Sequence, residues 1–188
     1  SDECRVYVEY NLADYEADVR YVKGQNKLSI NVDKDKWFGK NDNDDCDSDS
    51  HGCCSGCNTN VKIRVELPNN VETEIKTEIK AGAIEFQLGG LSVTKFDLSC
   101  LAGETTVDFK EPNRVAMNVF DVHCSVGETK LLNLGNAHFC NARINSGIGE
   151  LNVDFRGDRS EDCHLNIDLD IGDGCAGFQA HIFEGPVF

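Results

Sequence analysis

Leu101-Ala102-Gly103-Glu104, Ser125-Val126-Gly127-Glu128 and Ser146-Gly147-Ile148-Gly149-Glu150 are variants of one phrase. Ala81-Gly82-Ala83-Ile84-Glu85 precedes them, and a weaker copy stands at Ile171-Gly172-Asp173-Gly174. The copies recur at about 19 to 25 residues, which is the period of a solenoid coil. A unit of that length cannot bury its own apolar face, so each must stack on the next. After each glycine, similar side chains return in equivalent places: Phe86/Leu88, Thr105/Val107/Phe109, Thr129/Leu131 and Leu151/Val153/Phe155. These are the expected inward positions. Glycine at the corner supplies a positive φ or lets neighbouring backbones approach closely.

Upstream, Cys4, Val6, Val8 and Tyr10 alternate with Arg5, Tyr7 and Glu9, and Leu28, Ile30 and Val32 alternate after the turn signal Lys23-Gly24-Gln25-Asn26. Both patterns predict strands with one buried face. Tyr15, Ala17, Val19 and Tyr21 also alternate, which favours strand over helix for 12–22. Val61, Ile63, Val65 and Leu67 restart the period, and Val71, Thr73, Ile75, Thr77 and Ile79 continue it beyond Pro68-Asn69-Asn70. Between them, residues 39–60 carry no apolar period. A loop this long is usually functional, disordered or cross-linked. The predicted fold is all-β: a single-stranded parallel β-helix over 61–188, preceded by an N-terminal β segment (1–60) bearing an acidic Cys-rich loop (39–60), all in one continuous domain.

The 188 residues hold 33 acidic and 18 basic side chains, for a net charge of −15. Nucleic acid and anionic membrane surfaces both require a Lys/Arg footprint, so neither is an expected partner. No apolar run approaches the length of a membrane span. Ten cysteines point to an oxidising compartment. Met117 is the only methionine, and the opening Ser1-Asp2-Glu3-Cys4 is no signal peptide. The expectation is a secreted or cell-surface protein from which a leader has been removed.

The run Leu132-Asn133-Leu134-Gly135-Asn136-Ala137-His138-Phe139, followed by Ile144 through Gly157 with its Gly147-Ile148-Gly149 and Leu151-Asn152-Val153-Asp154-Phe155-Arg156-Gly157, resembles the bacterial toast-rack and adhesin-like families. Phe109-Lys110-Glu111-Pro112-Asn113-Arg114-Val115-Ala116-Met117 fits their pattern as well. The resemblance spans about residues 61–179. It implies a single-stranded parallel β-helix in an exported protein and says almost nothing of a ligand. The cysteines and the 39–60 loop depart from the family pattern.

Cys100 and Cys124 precede Gly103 and Gly127 by the same interval, so they are expected to stack in adjacent coils, close to disulfide range for their Cα atoms. Cys140 and Cys163 fall on neighbouring coils, offset by about two residues. Both pairs are candidate staples, with buried free thiols as the alternative. Cys46, Cys53, Cys54 and Cys57 surround His51. Two local disulfides, or one plus a bond to Cys4, are favoured there. A zinc site using Cys54, Cys57 and His51 or Cys46 is the other option. Asp42, Asp44, Asp45, Asp47 and Asp49 offer hard oxygens for calcium, with a solvated acidic loop as the plainer account. Cys4 and Cys175 are candidates for an interchain bond.

Glu85, Glu104, Glu128 and Glu150 follow the corner glycine in successive coils and are expected to form a column of carboxylates, splayed into water or offset by Lys130. His51, His123, His138, His164 and His181 lack an evident Ser or Cys partner, and no enzyme is expected. The apolar end, with Ile182, Phe183, Val187 and Phe188, lacks a polar cap, and an uncapped solenoid edge is a template for another chain. The leading functional expectation is therefore a self-assembling surface filament or layer subunit, a homo-oligomer. The alternative is a monomeric adhesin with an unidentified surface ligand. A third option is a metal-sequestering module built on the 39–60 loop, binding Ca2+ or Zn2+.

Overall fold

The computed structural model describes residues 3–10, 15–22, 27–34, 61–158, 163–169 and 179–183. The chain divides into two compact units, Glu3–Glu66 and one that begins at Leu67. The first contains β1 (Arg5–Tyr10), β2 (Tyr15–Val22), β3 (Lys27–Lys34) and β4 (Val61–Glu66). The alternation over Tyr15–Val22 does form a strand, and it pairs antiparallel with β3, Tyr21 opposite Leu28. β1 pairs antiparallel with β4, a strand far along the chain, with Val6 opposite Val65 and Val8 opposite Ile63. Equal residue parity puts these four apolar side chains on one face.

The second unit is a parallel β-solenoid. β5 (Glu72–Ile79) and β6 (Gly82–Gln87) make its first rung. β7 (Ser92–Asp108), β8 (Met117–Leu132) and β9 (Phe139–Asp154) are continuous rungs. β10 (His164–Leu169) and β11 (Gln179–Phe183) make the last rung among the described residues. Every pairing between rungs is parallel. Among the described residues the one helical element is a 3-10 turn, Leu134–Ala137, and none of them forms a helix long and apolar enough to cross a membrane.

Each long rung changes the side of its inward residues at the glycine corner. In β7, Phe96, Leu98 and Cys100 are buried, then Thr105 and Val107. Even positions point inward before the corner and odd ones after it. A straight strand would have carried the second set into water. The same switch occurs in β8 (Phe120, Val122 and Cys124, then Thr129 and Leu131) and in β9 (Ala142, Ile144 and Ser146, then Leu151 and Val153). Stacking turns these positions into rows. Phe96 lies 5.3 Å from Phe120 in a stacked arrangement, and Phe86 meets Phe96 edge-on at 5.0 Å. Rings so placed add to the burial that drives the stacking.

Candidate functional site

The solenoid presents its chemistry as rows, and the corner row is built by glycine. Gly82, Gly103, Gly127 and Gly149 are in register, with φ between 130° and 139°. A side chain at Gly103, Gly127 or Gly149 would overlap the carbonyl oxygen of the glycine one rung earlier, whereas Gly82 faces open space. The row therefore needs glycine twice over, for backbone conformation and for close approach.

The acidic row follows immediately. Glu104, Glu128 and Glu150 are register partners, and Gln179 continues them at the backbone of β11. The expected fourth carboxylate is not in this row. Glu104 pairs with Ala83, and Glu85 pairs with Thr106, because Glu85 stands three residues after its glycine while the others stand one after theirs. Glu85 instead heads the row Thr106, Lys130 and Asn152. Lys130 binds Glu128. Its ammonium is held above the ordinary lysine range by that hydrogen bond and by the charges of Glu128, Glu150 and Glu104. Lys130 thus places one positive charge against the middle carboxylate of the row. Among the described residues no group of His, Cys, Asp or Glu is arranged to hold a metal ion.

Cys100 and Cys124 are register partners and both are buried. Cys163 directly precedes β10, whose His164 pairs with Asn141, so it stands level with Cys140 rather than offset by two. Cys4, Cys100, Cys124, Cys140 and Cys163 are free thiols. The expected rows exist, but the staples are not formed in the structure. Residues in register on parallel strands point their Cβ atoms the same way, one strand spacing of about 4.8 Å apart. A disulfide prefers Cβ atoms about 3.5–4.5 Å apart. Burial pushes the Cys124 thiol above its ordinary range, and hydrogen bonds to Thr129 and Thr105 act against that shift. Cys46, Cys53, Cys54, Cys57 and Cys175, with Asp42, Asp44, Asp45, Asp47, Asp49 and His51, lie outside the described residues, as do Val187 and Phe188. Ile182 and Phe183 lie in β11, opposite Val153 and Asp154.

Between rungs the backbone is held by asparagines that periodicity does not reveal. Asn113 is buried, accepts a hydrogen bond from Val93 N and donates to Val93 O and Val115 O. Asn136 donates to Phe109 O and accepts from Asp158 N, so it ties three successive turns together. Leu134 and Ala137 beside it are fully buried. Asp154 is buried and takes a fork of hydrogen bonds from Arg156 Nε and Nη2, plus one from Arg156 N. The Arg156 side chain, followed by the backbone hydrogen bonds, holds the Asp154 carboxyl below its usual range. A side chain at Gly157, with φ 125°, would run into Asn136. The Leu-Gly-Asn-Ala and Asp-Phe-x-Gly elements are thus two halves of one joint between rungs.

The outward face of β8 and β9 carries one further grouping. Ser125 Oγ lies 3.4 Å from His123 Nε2, a partner for His123 that the sequence reading missed. Asp121, two residues back, is engaged by Arg143 at 3.5 Å. Asn145, in register with His123, has a buried Oδ1 without a hydrogen-bond partner.

This geometry defines a structural class, a single-stranded parallel β-solenoid whose rungs are joined by asparagine and glycine corners. The chain belongs to the toast-rack family: the family model for the N-terminal domain of toast_rack, DUF2154, matches residues 3–130. That match takes in the N-terminal unit, where the sequence resemblance began only at residue 61. No curated protein and no solved structure matches the chain.

Proposed function

We propose that this β-solenoid is a non-enzymatic structural module of the cell exterior, a subunit that assembles with copies of itself into a surface filament or layer. One observation carries the proposal: the terminal rungs are paired on one side only among the described strands. β5 and β6 pair with β7 alone, and β10 and β11 with β9 alone. A sheet edge with free N–H and C=O groups accepts a further strand. Contacts between unlike ends of a solenoid are head-to-tail and generate filaments or rings. Export to an oxidising compartment rests on the count of ten cysteines alone, since the five among the described residues are free thiols. The test is negative-stain microscopy with sedimentation velocity on the full chain across a concentration series. Concentration-dependent filaments or rings are expected. Monodisperse monomers at high concentration refute the proposal.

A second reading, a monomeric adhesin, is favoured by the polar outward face of β8 and β9. His123 and Ser125, with the Asp121–Arg143 pair nearby, offer exposed donors and acceptors that a glycan or a peptide could engage. This reading predicts specific retention on a glycan or protein array, lost in His123→Ala, with no polymer.

A further inference from the structure

The rows that bind rung to rung continue to the outer edge at both ends. The row Ile75, Phe96, Phe120, Ala142 and Leu165 runs through all the rungs. Phe96 and Phe120 are fully buried, Ile75 is half-buried, and Leu165 is 41% exposed. Next to it runs Thr77, Leu98, Val122, Ile144 and Ile167. Its middle members are sealed, while Thr77 and Ile167 are half-buried. Core rows that are closed in the middle and open at the ends are unfinished packing surfaces, and among the described strands none pairs with the outer edges that carry them.

We propose that β10 of one copy takes β5 of a second copy as its next parallel strand, in continuing register. Leu165 then lies against Ile75, Ile167 against Thr77, and Asp168 against Glu78. This deepens the self-assembly proposed above and rests on it. A second copy of the chain is the occupant because its first rung repeats the apolar rows at the same spacing and in the same phase. The outward rows agree in part. His164 meets Glu74, Asn166 meets Lys76, and only Asp168 meets a like charge in Glu78; all six side chains are exposed. A like-charge pair directly across a joint opposes pairing, and an opposite pair favours it. With a net charge of −15 per copy, the joint strengthens as salt screens the general repulsion.

Because these side chains are exposed, the register is testable without disturbing the core. Sedimentation velocity on the full chain at low salt and pH 7 compares the parent with Glu78→Lys, Asp168→Lys and the double variant. Asp158→Lys is the control for the change in net charge; Asp158 is exposed and lies outside both terminal rungs. Each single variant replaces a repulsive pair across the joint by an attractive one. Glu78→Lys also loses the exposed Lys76–Glu78 ion pair within β5, so Asp168→Lys is the cleaner arm, expected to tighten association about fivefold beyond the control. The double variant sets lysine against lysine and is expected to lose that gain. Singles that match the control, in a chain that does associate, overturn the register while leaving self-assembly standing. No association by any variant at any salt concentration overturns both. Circular dichroism of each variant verifies that the fold is kept.

Discussion

Replacing Gly127 by alanine separates the two demands that the corner makes on glycine. Gly127 has φ 130°, and an added Cβ would sit 1.9 Å from the Gly103 carbonyl oxygen. Ordinary van der Waals contact begins more than an ångström further out, so β7 and β8 must part locally or the corner must unwind. The conformational strain of a non-glycine residue at this φ costs about 1–3 kcal/mol. Forcing extra volume into a tight contact adds about 1–3 kcal/mol more. The expected loss is therefore roughly 4 kcal/mol, a large share of the 5–15 kcal/mol typical of a folded domain. For a chain of this size it lowers Tm by roughly 10 °C. Gly82 is the matched control: its φ of 136° carries the same strain, but nothing lies within 4 Å of the added atom. Gly82→Ala should cost about 1–3 kcal/mol, the strain alone. The assay is reversible urea unfolding of both variants and the parent, followed by far-ultraviolet circular dichroism, with Tm as a second readout. Equal losses for Gly82→Ala and Gly127→Ala, within about 0.5 kcal/mol, would refute the close-approach argument, because the two sites share the backbone strain and the added methyl group meets a carbonyl at Gly127 alone.

Three further outcomes follow from the joints. Asn113→Ala strands the N–H and C=O of Val93 in the interior and should cost about 2–4 kcal/mol by urea unfolding; a loss below about 1 kcal/mol contradicts the bridging role. Asp154→Asn should cost about 1–2 kcal/mol at neutral pH, since Arg156 is largely exposed at its outer end. The Asp154 carboxyl titrates lower in the folded state than in the unfolded chain. Its contribution is thus present above the unfolded carboxylate value, about 3.9, and is lost as pH falls through the folded value. The gap between parent and variant should close on acidification, and a gap that widens sinks the assignment. Finally, pulse alkylation of the reduced protein, read by peptide mass mapping, should label exposed Cys4 quickly and buried Cys100 and Cys124 only on unfolding. Fast labelling of Cys124 in the folded state contradicts its burial.

Much of the solenoid was legible because its signals are local. A glycine at the corner, alternation on either side of it and a repeat of about 19 to 25 residues are all properties of one short window. Tyr15–Val22 and Lys27–Lys34 were legible as strands for the same reason. The candidate site was legible only where spacing happened to equal register, as for Cys100 with Cys124 and for the carboxylates of Glu104, Glu128 and Glu150. Glu85 broke the rule because a common phrase does not guarantee a common phase, and a shift of two residues keeps the face while changing the row.

The amino-acid sequence by itself determined that coils exist, where they turn and which side chains line the core, because each of these depends on residues within a turn or two of one another. Only the tertiary structure decided the partners. That β1 joins β4 across a long separation, that Asn136 spans Phe109 and Asp158, and that Cys163 stands level with Cys140 all depend on pairing between residues about twenty or more apart. Pairing of distant segments, antiparallel for β1 with β4 and parallel between rungs, is set by the summed burial and hydrogen bonding of whole strands. No single residue type announces it.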